Sequence, residues 1–387
     1  MRNFGQVEAV GCLVSERNKV QTEHILTARS LAHEADLFEG LQFAEHRGAV
    51  HAELIRKLAH AGRVAGNRVD DACCTICDSV AQNAHMVDSG VVQTPPQPEI
   101  ITIGETMVLI TPTVAESLET AELFRLETGG AESNVAVHLS ALGHHAAWAG
   151  HLGSDAFGRR VECQLRERGV DTSLVKFNSD APTGFYFKDP GNGVIYHRAG
   201  SAASAMTPDD LAAVPFEHAA ITHISGITPS LSASCAALID SVLDRAKNSS
   251  TVVSFDVNYR AALWPVDVAG PTLLALARRA DIVLVGRDEA EVLWGTSAPE
   301  SVRELLGEPD ILVIKDGDVG ATEFGSAGHV FVPAHTVKVV EAVGAGDAFA
   351  AGYLSGYLTG LGPEQRLSLG HDRAALVLQS TTDLPTL

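Results

Sequence analysis

The sequence predicts an α/β fold, a doubly wound and mainly parallel sheet with helices on both faces and a small β lid beside it. From residue 99 to the C-terminus, short apolar strands alternate with amphipathic helices. Two stretches break that alternation, Thr106 to Glu127 and Thr183 to Arg198, and both read as strand pairs joined by polar or glycine-containing turns. The second carries Asp189-Pro190-Gly191-Asn192-Gly193 as its turn, and together the two stretches supply the lid.

Taken in order, residues 1–98 are an N-terminal extension, with helical stretches rich in Ala, His and Arg such as Leu37 to Ala61 and no strand alternation to assign a fold. Within it Cys73, Cys74, Cys77 and His85 lie close together, but a structural zinc site wants four ligands and no second cysteine pair is present, so they read as incidental thiols. Thr94-Pro95-Pro96-Gln97-Pro98 is a linker, because each proline lacks an N–H and restricts the residue before it. The remainder, residues 99–387, opens with a strand at Ile100 to Ile103. Buried strands follow at Ala146 to Ala149, Ile221 to Ile224, Val252 to Phe255, Ile282 to Val285 and Ile311 to Ile314. Thr207-Pro208-Asp209-Asp210 marks a helix start, with a capping hydroxyl, a proline at the first helical position and acids in the positive first turn.

Composition narrows the function. The chain has 387 residues, 45% hydrophobic and 20% charged, enough apolar material for a large core. Its 28 Lys and Arg against 48 Asp and Glu give a formal net charge of -20, which disfavours nucleic acid and anionic lipid as partners. An anionic ligand then needs a local cluster of Arg, Lys or backbone N–H groups. No apolar run reaches membrane-span length, no signal-peptide pattern opens the chain, and the six cysteines form no secreted disulfide framework, so a cytoplasmic protein with reduced thiols is expected.

The most specific segment is Glu341-Ala342-Val343-Gly344-Ala345-Gly346-Asp347-Ala348-Phe349, which follows a strand-like run, Thr336 to Val340, and opens an apolar helix. Small residues at a helix N-terminus leave N–H groups bare for a phosphate. Asp347 in that first turn can take a proton from an attacking hydroxyl while the N–H groups of Ala345, Gly346 and Asp347 face the transferring phosphoryl group; the plainer alternative is a tight turn with Asp347 as a helix cap. The segment is neither a Walker A loop nor a dinucleotide fingerprint. A second cluster, Glu127-Thr128-Gly129-Gly130-Ala131-Glu132-Ser133-Asn134, places paired glycines at a helix start, where a ligand can approach the backbone near Gly130 and Asn134 can bond sugar hydroxyls.

These two clusters in this order, with Gly150-His151-Leu152-Gly153-Ser154-Asp155-Ala156-Phe157-Gly158 between them, resemble the ribokinase-like (PfkB-type) carbohydrate kinase family over nearly the whole stretch from Glu99. Within it, Tyr196-His197-Arg198-Ala199-Gly200-Ser201-Ala202-Ala203-Ser204 and Phe255-Asp256-Val257-Asn258-Tyr259-Arg260-Ala261-Ala262-Leu263-Trp264 resemble segments of the 2-keto-3-deoxygluconate kinase group. The resemblance implies a ribokinase-like sheet and ATP-dependent phosphorylation of a keto-deoxy sugar acid. Asp347 would be the catalytic base and Gly344-Ala345-Gly346 the anion hole. Arg198 would bind the acid, Arg260 the acid or a phosphate, and Tyr186 would either pack on the sugar or sit as a half-buried aromatic. Lys315 and Gly317 resemble the family's nucleotide-side K-x-G step, and pairing of two lids into a homo-oligomer is a further family expectation.

Two departures concern ions. Gly286 stands where the family's N-x-x-E has Asn, leaving Glu289 as the matching acid near Mg2+, and Glu341-Ala342 replaces the usual Asp-Thr, removing a hydroxyl from the region of any monovalent cation. A kinase for fructose, ribose or a nucleoside would keep the machinery without needing Arg198. A sugar-acid sensor would bind without turnover.

Overall fold

The computed structural model describes residues 97–296, 298–380 and 384. The N-terminal extension, with its expected helices and the Cys73, Cys74, Cys77 and His85 set, lies outside the described residues.

Strands and helices alternate as β1 (Ile100–Ile103), β2 (Met107–Pro112), β3 (Phe124–Gly129), α1 (Ala131–Ala141), β4 (Ala146–Ala149), β5 (His151–Gly153), α2 (Ala156–Glu167) and β6 (Lys176–Asn178). The lid strands β7 (Phe185–Asp189) and β8 (Gly193–His197) follow, then β9 (Ile221–Ser225), α3 (Thr228–Leu231), α4 (Ala233–Ala246), β10 (Val252–Asp256), α5 (Val266–Ala277), β11 (Ile282–Gly286), α6 (Arg287–Trp294) and α7 (Pro299–Leu305). The chain closes with β12 (Ile311–Asp316), β13 (Gly320–Gly325), β14 (Gly328–Pro333), α8 (Ala345–Leu358) and α9 (Pro363–Leu378).

The main sheet runs in the order β14-β13-β12-β11-β10-β9-β1-β4. Its neighbours from β4 to β12 are parallel, and only the β12-β13-β14 edge is antiparallel. Parallel strands need cover on both faces. Alternating side chains supply it: Ile101, Ile103, Val283 and Val285 pack with α4, α5, α6 and α7 on one face. Ile100, Trp148, Ile282 and Leu284 pack with α1, α2, α8 and α9 on the other.

The six strands expected for the main sheet are present, and four of the five after β1 extend one or two residues further, which carries Asp256, Gly286 and Lys315 to or next to the ends of their strands. The two predicted strand pairs join into one four-stranded sheet, β3-β2-β7-β8, through parallel pairing of β2 with β7. Its strands sit at 107–129 and 185–197. The Gly150-to-Gly158 segment has a structural explanation. Asp155 caps α2 through Gly158 N at 2.7 Å and receives Thr183 N at 2.8 Å, tying the lid's entry to α2. Burial works against its ionisation, but the Thr183 and Gly158 hydrogen bonds outweigh it and hold the Asp155 carboxyl below the usual range.

Two expectations are corrected. Thr207 and Asp210 do form a capping box, yet only a single 3-10 turn follows, Pro208–Leu211. Pro215 disfavours helix at Val214 and buried Leu211 pins the turn, so no α-helix propagates. Thr336 to Val340 is no strand either: Val339 and Val340 are exposed, and Val340 N bonds Leu378 O at the end of α9. An apolar run with no sheet edge beside it has no ladder to join.

Helix α8 is held by close approach to α9. A Cβ on Gly352 would lie 2.2 Å from the Leu369 carbonyl oxygen. Gly352→Ala is therefore expected to lose about 1–3 kcal/mol in urea unfolding. An unchanged midpoint would mean that the two helices do not pack through this glycine.

Candidate active site

The carboxyl ends of β1, β9, β10, β11 and β12 and the N-terminus of α8 open on a cleft of about 930 Å³, with lid strands β7 and β8 on one side. Every site residue expected from the sequence lines it: Gly130, Asn134, Tyr186, Arg198, Arg260, Glu289, Lys315, Gly317 and Gly344 through Asp347.

Helix α8 begins after Gly344, whose φ of +84° is a left-handed turn that a side chain would strain. The Ala345 N–H does not point wholly outward, since it contacts Ala342 O at 3.3 Å; no backbone carbonyl takes the Gly346 N–H. The loop ahead is closed by Glu341, whose Oε1 accepts from Ala342 N and Val343 N at 2.9 and 3.2 Å. Asp347 faces the cleft, and its Oδ2 accepts from Asn134 Nδ2 at 2.8 Å. Asn134 therefore orients the acid rather than standing free for a sugar. Its Oδ1 is buried without a protein partner, which leaves an acceptor for a ligand hydroxyl.

A cation lies beside this turn. Lys315 Nζ donates to both oxygens of Asp256, at 3.0 and 2.8 Å. Burial alone would lower the lysine pKa, but the carboxylates of Asp256 and Glu289 outweigh it and hold the ammonium above its ordinary value. A Cβ placed on Gly346 would meet only Lys315 Nζ, at 3.8 Å, so the ammonium borders the start of α8. Gly317 takes a φ of +49° in the turn from β12 to β13.

Glu289 is committed to the backbone: Oε1 accepts from Tyr259 N at 2.8 Å and Oε2 from Gly286 N at 2.7 Å. Burial is the main reason that its pKa is raised. Among the described residues no three metal-ligating side chains gather. This donor set suits a magnesium ion carried in by phosphates and touching one protein carboxylate, not an ion held by protein alone.

At the lid end, Tyr186 is buried and stacks on Tyr196 with centroids 5.4 Å apart. The Arg198 guanidinium lies 4.3 Å over the Tyr196 ring, and its Nη1 is 3.3 Å from Glu105 Oε2. Arg260 sits not at the strand end but four residues beyond it, exposed, donating to Tyr259 O. Just before it, Asn258 has a φ of +41°, the one non-glycine left-handed residue among those described. Asn tolerates this conformation, and such strain is kept where a loop is shaped for a ligand.

Sequence reasoning missed Asp256, Glu105 and Tyr196 as cleft residues. Asp256 and Tyr196 stood inside quoted motifs, while Glu105 had only the signal of an acid directly after an apolar strand.

Lys315→Met would strand Asp256, whose side chain is 4% exposed, without its cation. A loss of about 3–5 kcal/mol in urea unfolding is expected, partly recovered by adding Asp256→Asn. Equal stability of the single variant and the native protein would refute the pair.

The chain matches the PfkB family of carbohydrate kinases over residues 97–385. It is 37% identical to the 2-dehydro-3-deoxygalactonokinase of Haloferax volcanii, covering 72% of this chain and 90% of that protein. It is 33% identical to the 2-dehydro-3-deoxygluconokinase of Bacillus subtilis, covering 75% and 92%. A PfkB protein from Polaromonas superposes with a TM-score of 0.70 at 35% identity, over 75% of this chain and 98% of that one. The chain belongs to the PfkB family of carbohydrate kinases, and it is a carbohydrate kinase.

Proposed function

We propose that the protein transfers the γ-phosphoryl group of ATP to the terminal hydroxyl of a keto-deoxy sugar acid, 2-keto-3-deoxygluconate or its galacto epimer. The observation that carries this is one cleft with a half-buried arginine at its lid end and a carboxylate at a helix N-terminus at the other. Arg198 offers a charge-assisted fork for the acid group. Asp347, held by Asn134, offers the base. The names of the two relatives above support the substrate class and leave the epimer open.

In this reading Arg198 fixes the carboxylate end of the sugar while Gly130 allows the chain to approach its backbone. Tyr186 and Tyr196 wall the lid side. The terminal hydroxyl then lies against Asp347, which takes the proton late, because a carboxylate is a weak base toward an alcohol until bonding to phosphorus acidifies it. The Gly346 N–H and the positive end of α8 stabilise the transferring phosphoryl group, and Lys315 adds a fixed positive charge at the same place. Magnesium, when bound with the nucleotide, neutralises phosphate charge. Lys315 and Gly317 place the nucleotide along the β12–β13 turn, with Arg260 near the phosphates or the acid and Glu289 near the metal. The lid excludes water and suppresses ATP hydrolysis.

The test is coupled ADP release with 2-keto-3-deoxygluconate, its galacto epimer, fructose, ribose and a nucleoside. Asp347→Asn is expected to lower kcat by about 10²- to 10⁴-fold with the fold intact. Arg198→Ala is expected to raise KM for the sugar acid roughly 10- to 100-fold. Full activity of Arg198→Ala on its best substrate would favour another sugar, and ligand-dependent thermal stabilisation without turnover in the native protein would favour a sensor.

A further inference from the structure

Beneath Arg198 lies a carboxylate that the transfer reaction does not use. Glu105 follows β1, is 2% exposed and lines the cleft. Arg198 Nη1 stands 3.3 Å from its Oε2, yet neither Glu105 oxygen receives a hydrogen bond of good geometry among the described residues. The groups that face it are few. Arg198 follows β8, Ser201 follows in the same loop, Glu132 comes from α1 and Cys235 from α4. Glu132 is itself buried, and its Oε1 is satisfied by Ser225 and Thr228 at 2.7 and 3.1 Å. Arg198 is thus the cation that answers Glu105.

That arrangement conflicts with binding a second carboxylate. An acid substrate held by Arg198 would put two anions against one guanidinium beside a carboxylate that is 2% exposed, where like charges repel more strongly than in bulk water. Glu105 is too buried to swing its charge into solvent. A neutral Glu105 removes the conflict, and its O–H then becomes a donor to the ligand. Its pKa makes this accessible: burial pushes the carboxyl up to about 7, with Arg198 opposing the rise and Glu132 adding to it.

We propose that Glu105 couples binding of the acid to the uptake of a proton. In the empty cleft it serves as the counter-ion of Arg198, and it takes up one proton from bulk buffer when the substrate carboxylate replaces it in that role. A neutral sugar gives Arg198 no new anion, so the existing pair stays in its way and no proton is drawn in. This inference rests on the sugar-acid reading above and adds its pH dependence.

The full-length wild type and Glu105→Gln, which imitates the protonated form at nearly the same shape, are compared between pH 6.5 and 8.5. Wild-type KM for 2-keto-3-deoxygluconate is expected to rise as pH passes 7, approaching tenfold per pH unit, as one linked proton requires. The variant is expected to give a flat profile, with a lower KM than wild type at pH 8.5. Calorimetric titration of the sugar acid into wild type, in two buffers of different ionisation enthalpy at pH 8, is expected to show uptake of about one proton. That uptake should be absent in Glu105→Gln. Equal slopes in the two proteins, a flat wild-type profile, or a folded variant that no longer binds the acid at pH 6.5 each overturn the role of Glu105. If the variant is isolated unfolded, the two-buffer titration of wild type decides. Absence of sugar-acid turnover by wild type at pH 6.5 overturns the substrate reading and this inference with it, whereas turnover with a flat profile overturns only Glu105.

Discussion

Six neighbouring strands, β4, β1, β9, β10, β11 and β12, run in one direction, so their carboxyl ends open on a single rim. That constraint brings together residues that share nothing locally. Glu105 follows β1, Asp256 ends β10, Gly286 ends β11 and Lys315 lies in the last turn of β12. The crossovers cover both faces with helices, which leaves the rim as the open side where ligands of such sheets gather. Helix α8 then presents its positive end to the same rim, because close glycine contacts with α9 fix where it lies.

The rim is crowded with charge of one sign, and its order comes from how that charge is paired. Lys315 stands among Asp256, Glu289 and Asp347, with Asp256 bonded directly and the other two acting through space. Glu289 places its oxygens on two backbone N–H groups, which ties the loop after β10 to the start of α6. In a chain of net charge -20 the rim still carries local positive features, an ammonium, a helix N-terminus and the exposed Arg260. At the other end of the cleft Arg198 and Glu105 repeat the pattern of one cation answering a buried anion.

What could be read from the sequence follows from how local each signal is. The turn at Gly344-Ala345-Gly346-Asp347 was legible as a helix start because its conformation is set within one segment, by a left-handed glycine ahead of small residues. The main strands were legible for the same reason, being short apolar runs. Thr336 to Val340 misled because apolarity marks burial only when a partner edge exists, and here Val339 stays exposed. The pairings were not legible at all. Asn134 and Asp347 are 213 residues apart, and Asp256 and Lys315 are 59 apart. Strand order and register bring the second pair together, and the packing of α1 against α8 the first.

The lid and the start of α8 are joined by more than sharing a cleft. Lys188 on β7 reaches within 3.9 Å of Glu341 Oε2, and the other oxygen of that carboxylate holds the N–H groups of Ala342 and Val343. A lid strand thus touches the residue that shapes the loop leading into α8. At the opposite end of the same sheet, Arg198 follows β8 and carries its charge to the buried acid under the sugar side. Strands β7 and β8 are antiparallel partners over five residue pairs, so displacement of one carries the other. Any movement of the lid therefore acts on both ends of the cleft, on Arg198 at one and on the loop before α8 at the other.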